Sequence, residues 1–263
     1  MKIGFIGCGN MARAMINGML KKGFPKEEII ASAKSEKTLS YISDKMGITA
    51  ESENANVAKN ADIVILAVKP VYMEEVINEI KGEISLRKIV VTLAPGKTIE
   101  WLEKKFGKRI KLVRTMPNTP AMVSEGMTAL CPNDKITEND LKVVRKIFDS
   151  FGKAEVVSEN IMDAVVGVSG SSPAFVFMFI EAMADAAVAE GMPRAQAYKF
   201  AAQTVMGSAK LMLETGKHPG ELKDMVCSPG GTTIEGVNVL EGCAFRSAVI
   251  EAVREAADKS RRM

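Results

Sequence analysis

The chain has 263 residues, enough for one large domain or two smaller ones, and 47% of them are hydrophobic, enough to bury a core. Aromatic residues are scarce at 5%, and a net charge of +3 with both signs interspersed announces no nucleic-acid-binding face. Four widely spaced cysteines and the single histidine, His218, have neither metal-ligand nor redox spacing, so a metal centre or a Cys/His nucleophile is not expected.

Lys2–Ile6 reads as a short apolar strand. Gly7, Gly9 and Ala12 then form the pattern G-x-G-x-x-A, and a helical pattern follows from Met11. Directly after a strand and before a helix, this is the unit that binds a dinucleotide. Gly7 permits the tight turn, Gly9 lets the backbone approach a pyrophosphate, and Ala12 lets helix and strand pack closely. The helix N-terminus then faces the anion. Because the chain begins directly with a core strand, no signal peptide is expected.

Ile29–Ala33 reads as a second strand. In an NAD-binding unit a carboxylate usually stands at its end to hold the adenosine ribose 2′-hydroxyl. Here the strand ends in Ser32, Ala33, Lys34 and Ser35. A cation and hydroxyls suit a 2′-phosphate, which leans the cofactor towards NADP. A helix runs through Met46 and stops at Gly47. Ala61–Val68 is an apolar strand of the type buried on both faces, and it turns at Lys69–Pro70. Val71–Ile80 is helical, Lys88–Leu93 is another buried strand, and Ala94–Pro95–Gly96 follows it. Thr98 caps a helix to Phe106. Ile110–Arg114 is a strand, Met116–Pro120 breaks it, Asn139–Phe151 is a helix, and Glu155–Val157 is a short strand. This alternation predicts an α/β fold with a Rossmann-like, doubly wound parallel sheet over residues 1–158.

From 159 to 263 the strands vanish, and an all-helical dimerisation domain is expected. Ser172–Glu190 is apolar nearly all round, which calls for burial on most faces, here against another subunit. Its apolar run Pro173–Ile180 is too short to cross a bilayer. Arg194–Glu214 is a second long helix, a third follows from Ile234, and a last one runs from Ala244 to Lys259. The expectation is a protein of the reducing cytoplasm, with no nucleic-acid or membrane partner and no metal.

Several stretches together resemble the pyrroline-5-carboxylate reductase family. They are Ile6-Gly7-Cys8-Gly9-Asn10-Met11, Ala67-Val68-Lys69-Pro70, Arg114-Thr115-Met116-Pro117-Asn118-Thr119-Pro120-Ala121, and His218-Pro219 with Leu222-Lys223-Asp224 and Ser228-Pro229-Gly230-Gly231-Thr232-Thr233-Ile234. The resemblance implies hydride transfer from NAD(P)H to the C=N bond of 1-pyrroline-5-carboxylate, giving L-proline; Lys34 and Ser35 make NADPH the preferred cofactor, with NADH possible. It implies that Ile6, Gly7, Cys8, Gly9, Asn10 and Met11 hold the pyrophosphate, with Lys34 and Ser35 near the 2′-phosphate and Asn54 on the adenosine side. Ala67, Val68, Lys69, Pro70, Leu93, Ala94 and Pro95 would line the cofactor cleft. Ser228, Gly230, Gly231, Thr232 and Thr233 would hold the substrate carboxylate, with the Thr233 hydroxyl reaching the ring nitrogen or carboxylate as the catalytic contact. It also implies a dimer, often assembled into a decamer.

A cyclic imine protonates readily, so positioning matters more than a strong general acid, and no histidine–carboxylate pair is needed. Three positions depart from the family pattern: Ser172 stands for Gly, Phe175 for Tyr, and Met225 for Gln or Asn. Thr233 could alternatively cap a helix. Lys69 reads as structural, His218 as a helix-start contact, and Cys8 and Cys227 as packing. Two other readings carry distinguishing features. A hydroxyacid dehydrogenase would need a lysine in the helix Ser171–Glu190, which has none, and a catalytically silent sensor would have no reason to keep Ser228–Thr233.

Overall fold

The computed structural model describes residues Met1–Met263. They group into two compact units, Met1–Gly170 with Ala256–Met263, and Ser171–Glu255. The first unit holds β1 (Ile3–Ile6), α1 (Asn10–Lys21), β2 (Ile29–Ser32), α2 (Glu36–Ser40), β3 (Thr49–Glu51), α3 (Asn54–Asn60) and β4 (Ile63–Leu66). It continues with α4 (Met73–Ile80), β5 (Ile89–Thr92), α5 (Ile99–Phe106), β6 (Lys111–Met116), β7 (Gly126–Pro132), α6 (Glu138–Phe148), β8 (Gly152–Val156) and α7 (Met162–Val165).

The eight strands form one sheet in the order β3-β2-β1-β4-β5-β6-β7-β8. All neighbours pair in parallel except β6 and β7, which run antiparallel. The order reverses between β1 and β4, which is where a doubly wound sheet opens a crevice at its carboxyl edge. The register fixes that edge: Ile6 pairs with Ser32 on one side and Leu66 on the other, and Leu66 pairs with Thr92. The next residues of four strands, Gly7, Ala33, Ala67 and Leu93, therefore line up along the rim.

Alternating side chains feed two cores, as a sheet covered on both faces requires. Ile3 and Phe5 pack in a cluster with Met15, Ile16 and Met19 of α1 and Phe148 of α6. Ile6, Val64 and Leu66 pack in the other, with Val57 of α3, Ile77 of α4 and Leu102 of α5. The helix to Met46 ends in a stretch of π-helix, Tyr41–Met46, and stops at Gly47 with φ 67°. Thr98 caps α5, accepting from the Trp101 N–H at 3.1 Å. Two strands have no counterpart in the sequence expectation: β3 and β7.

The second unit holds α8 (Ser172–Ala189), α9 (Arg194–Thr215), α10 (Pro219–Val226), α11 (Thr232–Gly242) and most of α12 (Phe245–Arg261). The apolar side chains of this unit are largely on its surface: Phe177 is 65% exposed, Phe200 65% and Leu213 85%. α8 also closes a continuous 31-residue helical stretch, Glu159–Ala189, long and apolar enough to cross a membrane. The reading of Pro173–Ile180 as too short counted an uninterrupted apolar run. The helix also takes in the small residues of 166–172, which do not break it.

Candidate active site

The first unit places the glycine motif at the crevice. Ile6 ends β1, Gly7 turns at φ +90°, and Gly9 is the N-cap of α1, whose first residues are Asn10 and Met11. A Cβ on Gly7 would meet Val68 Cγ1 at 2.8 Å and the Ala67 carbonyl oxygen at 3.0 Å. A Cβ on Gly9 would meet no atom within 4 Å. Gly7 is thus required by the fold, whereas Gly9 faces open space in front of the helix start. No side chain caps α1, so the N–H groups of its first turn point towards that space. This is the fit a dinucleotide pyrophosphate needs.

Cys8 is buried, its thiol pushed up by that burial against the opposing effect of Arg13, whose Nε donates to the Cys8 carbonyl at 3.0 Å. It serves as packing, not as a nucleophile. Ala67 donates its N–H to the Ile6 carbonyl at 2.9 Å, and Leu93 to that of Leu66 at 3.2 Å, so both loop starts are tied to the rim. Lys69 stands at the N-terminal flank of a short 3-10 turn begun by Pro70, without a side-chain capping bond, and Ala94 is buried beside Pro95.

Four of the expected residues, Gly7, Lys34, Asn54 and Val68, line one cavity of about 110 Å³ together with Ala33, Tyr72 and Val76. A hydrogen-bond chain runs behind it. The Gly7 N–H donates to Ser32 Oγ at 3.3 Å, that hydroxyl donates to Asn54 Oδ1 at 2.6 Å, and Asn54 Nδ2 donates to Glu79 Oε2 at 2.5 Å. Lys34 Nζ lies 2.9 Å from Glu75 Oε1, a contact that raises its pKa, and it stands over the Tyr72 ring. Ser35 caps α2, accepting from the Thr38 N–H at 3.3 Å. Sequence reasoning missed Tyr72, Glu75 and Glu79. It read the Ser32 hydroxyl towards a 2′-phosphate, whereas in the structure that hydroxyl is bonded to the Gly7 N–H and Asn54.

In the second unit, Gly230 turns at φ 65° and the Gly231 N–H donates to the Ser228 carbonyl at 3.0 Å. A Cβ on Gly231 would stand 2.3 Å from Ser228 Oγ and 3.1 Å from the Ser228 carbonyl oxygen, so a side chain there would have to displace the Ser228 hydroxyl. Gly231 is the N-cap of α11, and no side chain caps that helix. Thr232 and Thr233 are therefore the first two helical residues, two positions earlier than the expected start at Ile234. This removes the capping alternative for Thr233. Thr232 is exposed and Thr233 half-buried. The result is a second uncapped helix start, built on a glycine turn and flanked by hydroxyls, suited to a small carboxylate. His218 caps α10, with Nδ1 accepting from the Gly220 N–H at 3.1 Å.

Residues 159–263 match the family model for pyrroline-5-carboxylate reductase dimerisation, and residues 2–96 match the model described as NADP oxidoreductase coenzyme F420-dependent. A pyrroline-5-carboxylate reductase of Escherichia coli K12 is 53% identical over 264 aligned residues, covering 100% of this chain and 98% of the relative. One from Arabidopsis thaliana is 40% identical, covering 100% and 95%. Among solved structures, a pyrroline-5-carboxylate reductase from Coxiella burnetii superposes with a TM-score of 0.94 at 35% identity, covering 99% of this chain and 97% of that one. A pyrroline carboxylate reductase from Plasmodium falciparum with NADP bound gives 0.90 at 34% identity, covering 100% and 97%.

Proposed function

The chain belongs to the pyrroline-5-carboxylate reductase family, and we propose that it divides the reaction between the cofactor crevice of its first unit and the uncapped helix start of its second. The activity is the NAD(P)H-dependent reduction of 1-pyrroline-5-carboxylate to L-proline, the last step of proline biosynthesis. When bound, the reduced nicotinamide supplies the hydride that the C=N carbon takes up.

The chain's own part is to bind and orient. Ile6, Gly7, Cys8, Gly9, Asn10 and Met11 hold the pyrophosphate at the start of α1. Ala67, Val68, Lys69, Pro70, Leu93, Ala94 and Pro95 line the cleft along the sheet's carboxyl edge. Asn54 serves the adenosine side, and Lys34 and Ser35 meet the 2′-phosphate, favouring NADPH. Ser228, Gly230 and Gly231 shape the turn that aims the N–H groups of Thr232 and Thr233 at the substrate carboxylate. The Thr233 hydroxyl reaches the ring nitrogen or carboxylate. The observation that carries this reading is the open α11 start: its Thr hydroxyls are not used as caps, and the turn closed by the Gly231 N–H on the Ser228 carbonyl leaves it uncapped. A protonated imine needs no strong acid from the protein, and no His–carboxylate pair is required.

The chain self-associates, and we infer a dimer through residues 159–263, with residues 1–158 as the cofactor domain and further assembly to a decamer. All four cysteines are free, which fits a reducing compartment, and we assign the enzyme to the cytoplasm with no nucleic-acid or membrane partner. The test mixes purified protein with NADPH and 1-pyrroline-5-carboxylate and follows loss of reduced-nicotinamide absorbance together with proline formation. Stoichiometric proline is expected. Cofactor binding without proline would overturn the assignment.

A further inference from the structure

We propose that Glu75 sets the balance between NADPH and NADH in this enzyme by holding Lys34. The proposal rests on the reading that Lys34 meets the 2′ end of the adenosine ribose.

β2 supplies no carboxylate at its end, only Ser32, Ala33 and Lys34. α4 supplies what β2 lacks. Glu75 and Glu79 stand four residues apart, on one face of that helix, and each bonds to a residue that lines the cavity, Glu75 to Lys34 and Glu79 to Asn54. Their tasks differ. Glu79 is committed to Asn54 at 2.5 Å, and through it to Ser32 and the glycine turn. Glu75 makes a single hydrogen bond, to Lys34 at 2.9 Å, and its side chain is 53% exposed. It is the partner that can let go.

One ammonium therefore faces two carboxylates where a 2′-phosphate would need net positive charge. Before Lys34 can serve a phosphate, it must be shared with or released by Glu75, and the phosphate is repelled by Glu75 as it arrives. A 2′-hydroxyl meets neither obstacle and finds in Glu75 a hydrogen-bond acceptor of the kind NAD-binding folds carry at the end of β2. Lys34 thus favours NADPH, Glu75 subtracts from that advantage, and NADH stays usable.

The test is steady-state kinetics of the full-length enzyme with each cofactor, for wild type, Glu75→Gln, Lys34→Ala and the double variant. Glu75→Gln should raise the ratio of kcat/KM for NADPH over NADH by about 1.5- to fivefold, the range open to one exposed ion pair. The change should come mainly from a lower KM for NADPH at unchanged kcat, shrink in high salt, and be clearly smaller in the Lys34→Ala background, where only the direct action of Glu75 on the 2′ group remains. If Lys34→Ala lowers the ratio but Glu75→Gln leaves it unchanged, the 2′-phosphate reading stands and the role of Glu75 falls. If Lys34→Ala leaves the ratio unchanged, the Lys34 reading fails and the proposal fails with it. An equal Glu75→Gln effect with and without Lys34 would also overturn it.

Discussion

Gly7 faces Val68 so closely that a Cβ at position 7 would stand 2.8 Å from Val68 Cγ1, in a backbone conformation, φ +90°, that side-chain-bearing residues rarely adopt. Two residues on, Gly9 has an ordinary φ of −76° and nothing within 4 Å of where its Cβ would lie. The two glycines should therefore fail differently. Gly7→Ala is expected to destabilise the first unit by about 2–3 kcal/mol through strain and overpacking. Gly9→Ala should keep the wild-type Tm but weaken NADPH binding about tenfold or more, because its methyl group enters the space the pyrophosphate needs. Thermal unfolding and a fluorescence titration with NADPH read the two effects separately. A Gly9→Ala enzyme that binds NADPH normally would remove the pyrophosphate from this helix start.

That contrast shows what was legible in the sequence. The strands β1, β2, β4 and β5 announce themselves because parallel strands covered on both faces are continuous apolar runs. Their ends are less legible: Ala61–Val68 reads as one strand, but only Ile63–Leu66 pairs, and Ala67 and Val68 already belong to the loop that follows it. β7 escapes notice because it runs from Gly126 to Pro132, returns antiparallel beside β6 and lies beyond a Pro-rich break. β3 has three residues on the sheet edge, too few for a pattern. At the site, backbone demands are written in residue type, so both glycine turns can be read directly. The Lys34–Glu75 pair cannot, since its partners lie 41 residues apart and meet only once α4 has packed on the sheet.

The position of Thr233 inside α11 makes its role separable from stability. At an N-cap, Thr→Ala costs about 1 kcal/mol. Here Gly231 is the N-cap, so Thr233→Ala should leave the Tm nearly unchanged. If the hydroxyl contacts the substrate, kcat/KM for 1-pyrroline-5-carboxylate should fall about ten- to a hundredfold, with the Kd for NADPH unaltered and Thr233→Ser restoring most of the rate. Unchanged kinetics would remove Thr233 from the mechanism.

A pH prediction comes from the start of α6. Asp140 completes a capping box with Thr137, accepting from the Thr137 N–H at 2.9 Å, and its carboxylate lies 2.8 Å from Lys111 Nζ. Burial alone would raise its pKa, but the Lys111 ammonium and the Thr137 N–H and hydroxyl outweigh it and hold the carboxyl below its ordinary value. A depressed pKa in the folded state gives stability that is fully present above the unfolded value, near pH 4, and is lost as pH falls through the folded one. Asp140→Asn should therefore cost about 1 kcal/mol at neutral pH and flatten the loss of stability below about pH 4. Urea unfolding across that range measures both. A variant whose stability falls in acid as steeply as the wild type would show that Asp140 does not drive the transition.

The exposed apolar side chains of the second unit bear on what covers them. Burying one Phe is worth about 1.5–3 kcal/mol, so leaving Phe177 and Phe200 each 65% exposed wastes stabilisation that a second copy would recover. Residues 159–263 match a dimerisation family, and the same stretch includes the one helix apolar enough to enter a bilayer. The double variant Phe177→Glu/Phe200→Glu distinguishes the two. In a dimer, four carboxylates would be driven into the covered face. Light scattering should then report a mass near the 28.4 kDa of a single chain, with proline formation falling more than tenfold. NADPH binding, carried by the first unit, should persist. If a bilayer covers the helix instead, the wild type should co-sediment with lipid vesicles, and the variant should abolish that binding while leaving its mass in solution unchanged. A wild type that stays in the supernatant and a variant that dissociates assign the apolar face to the partner subunit.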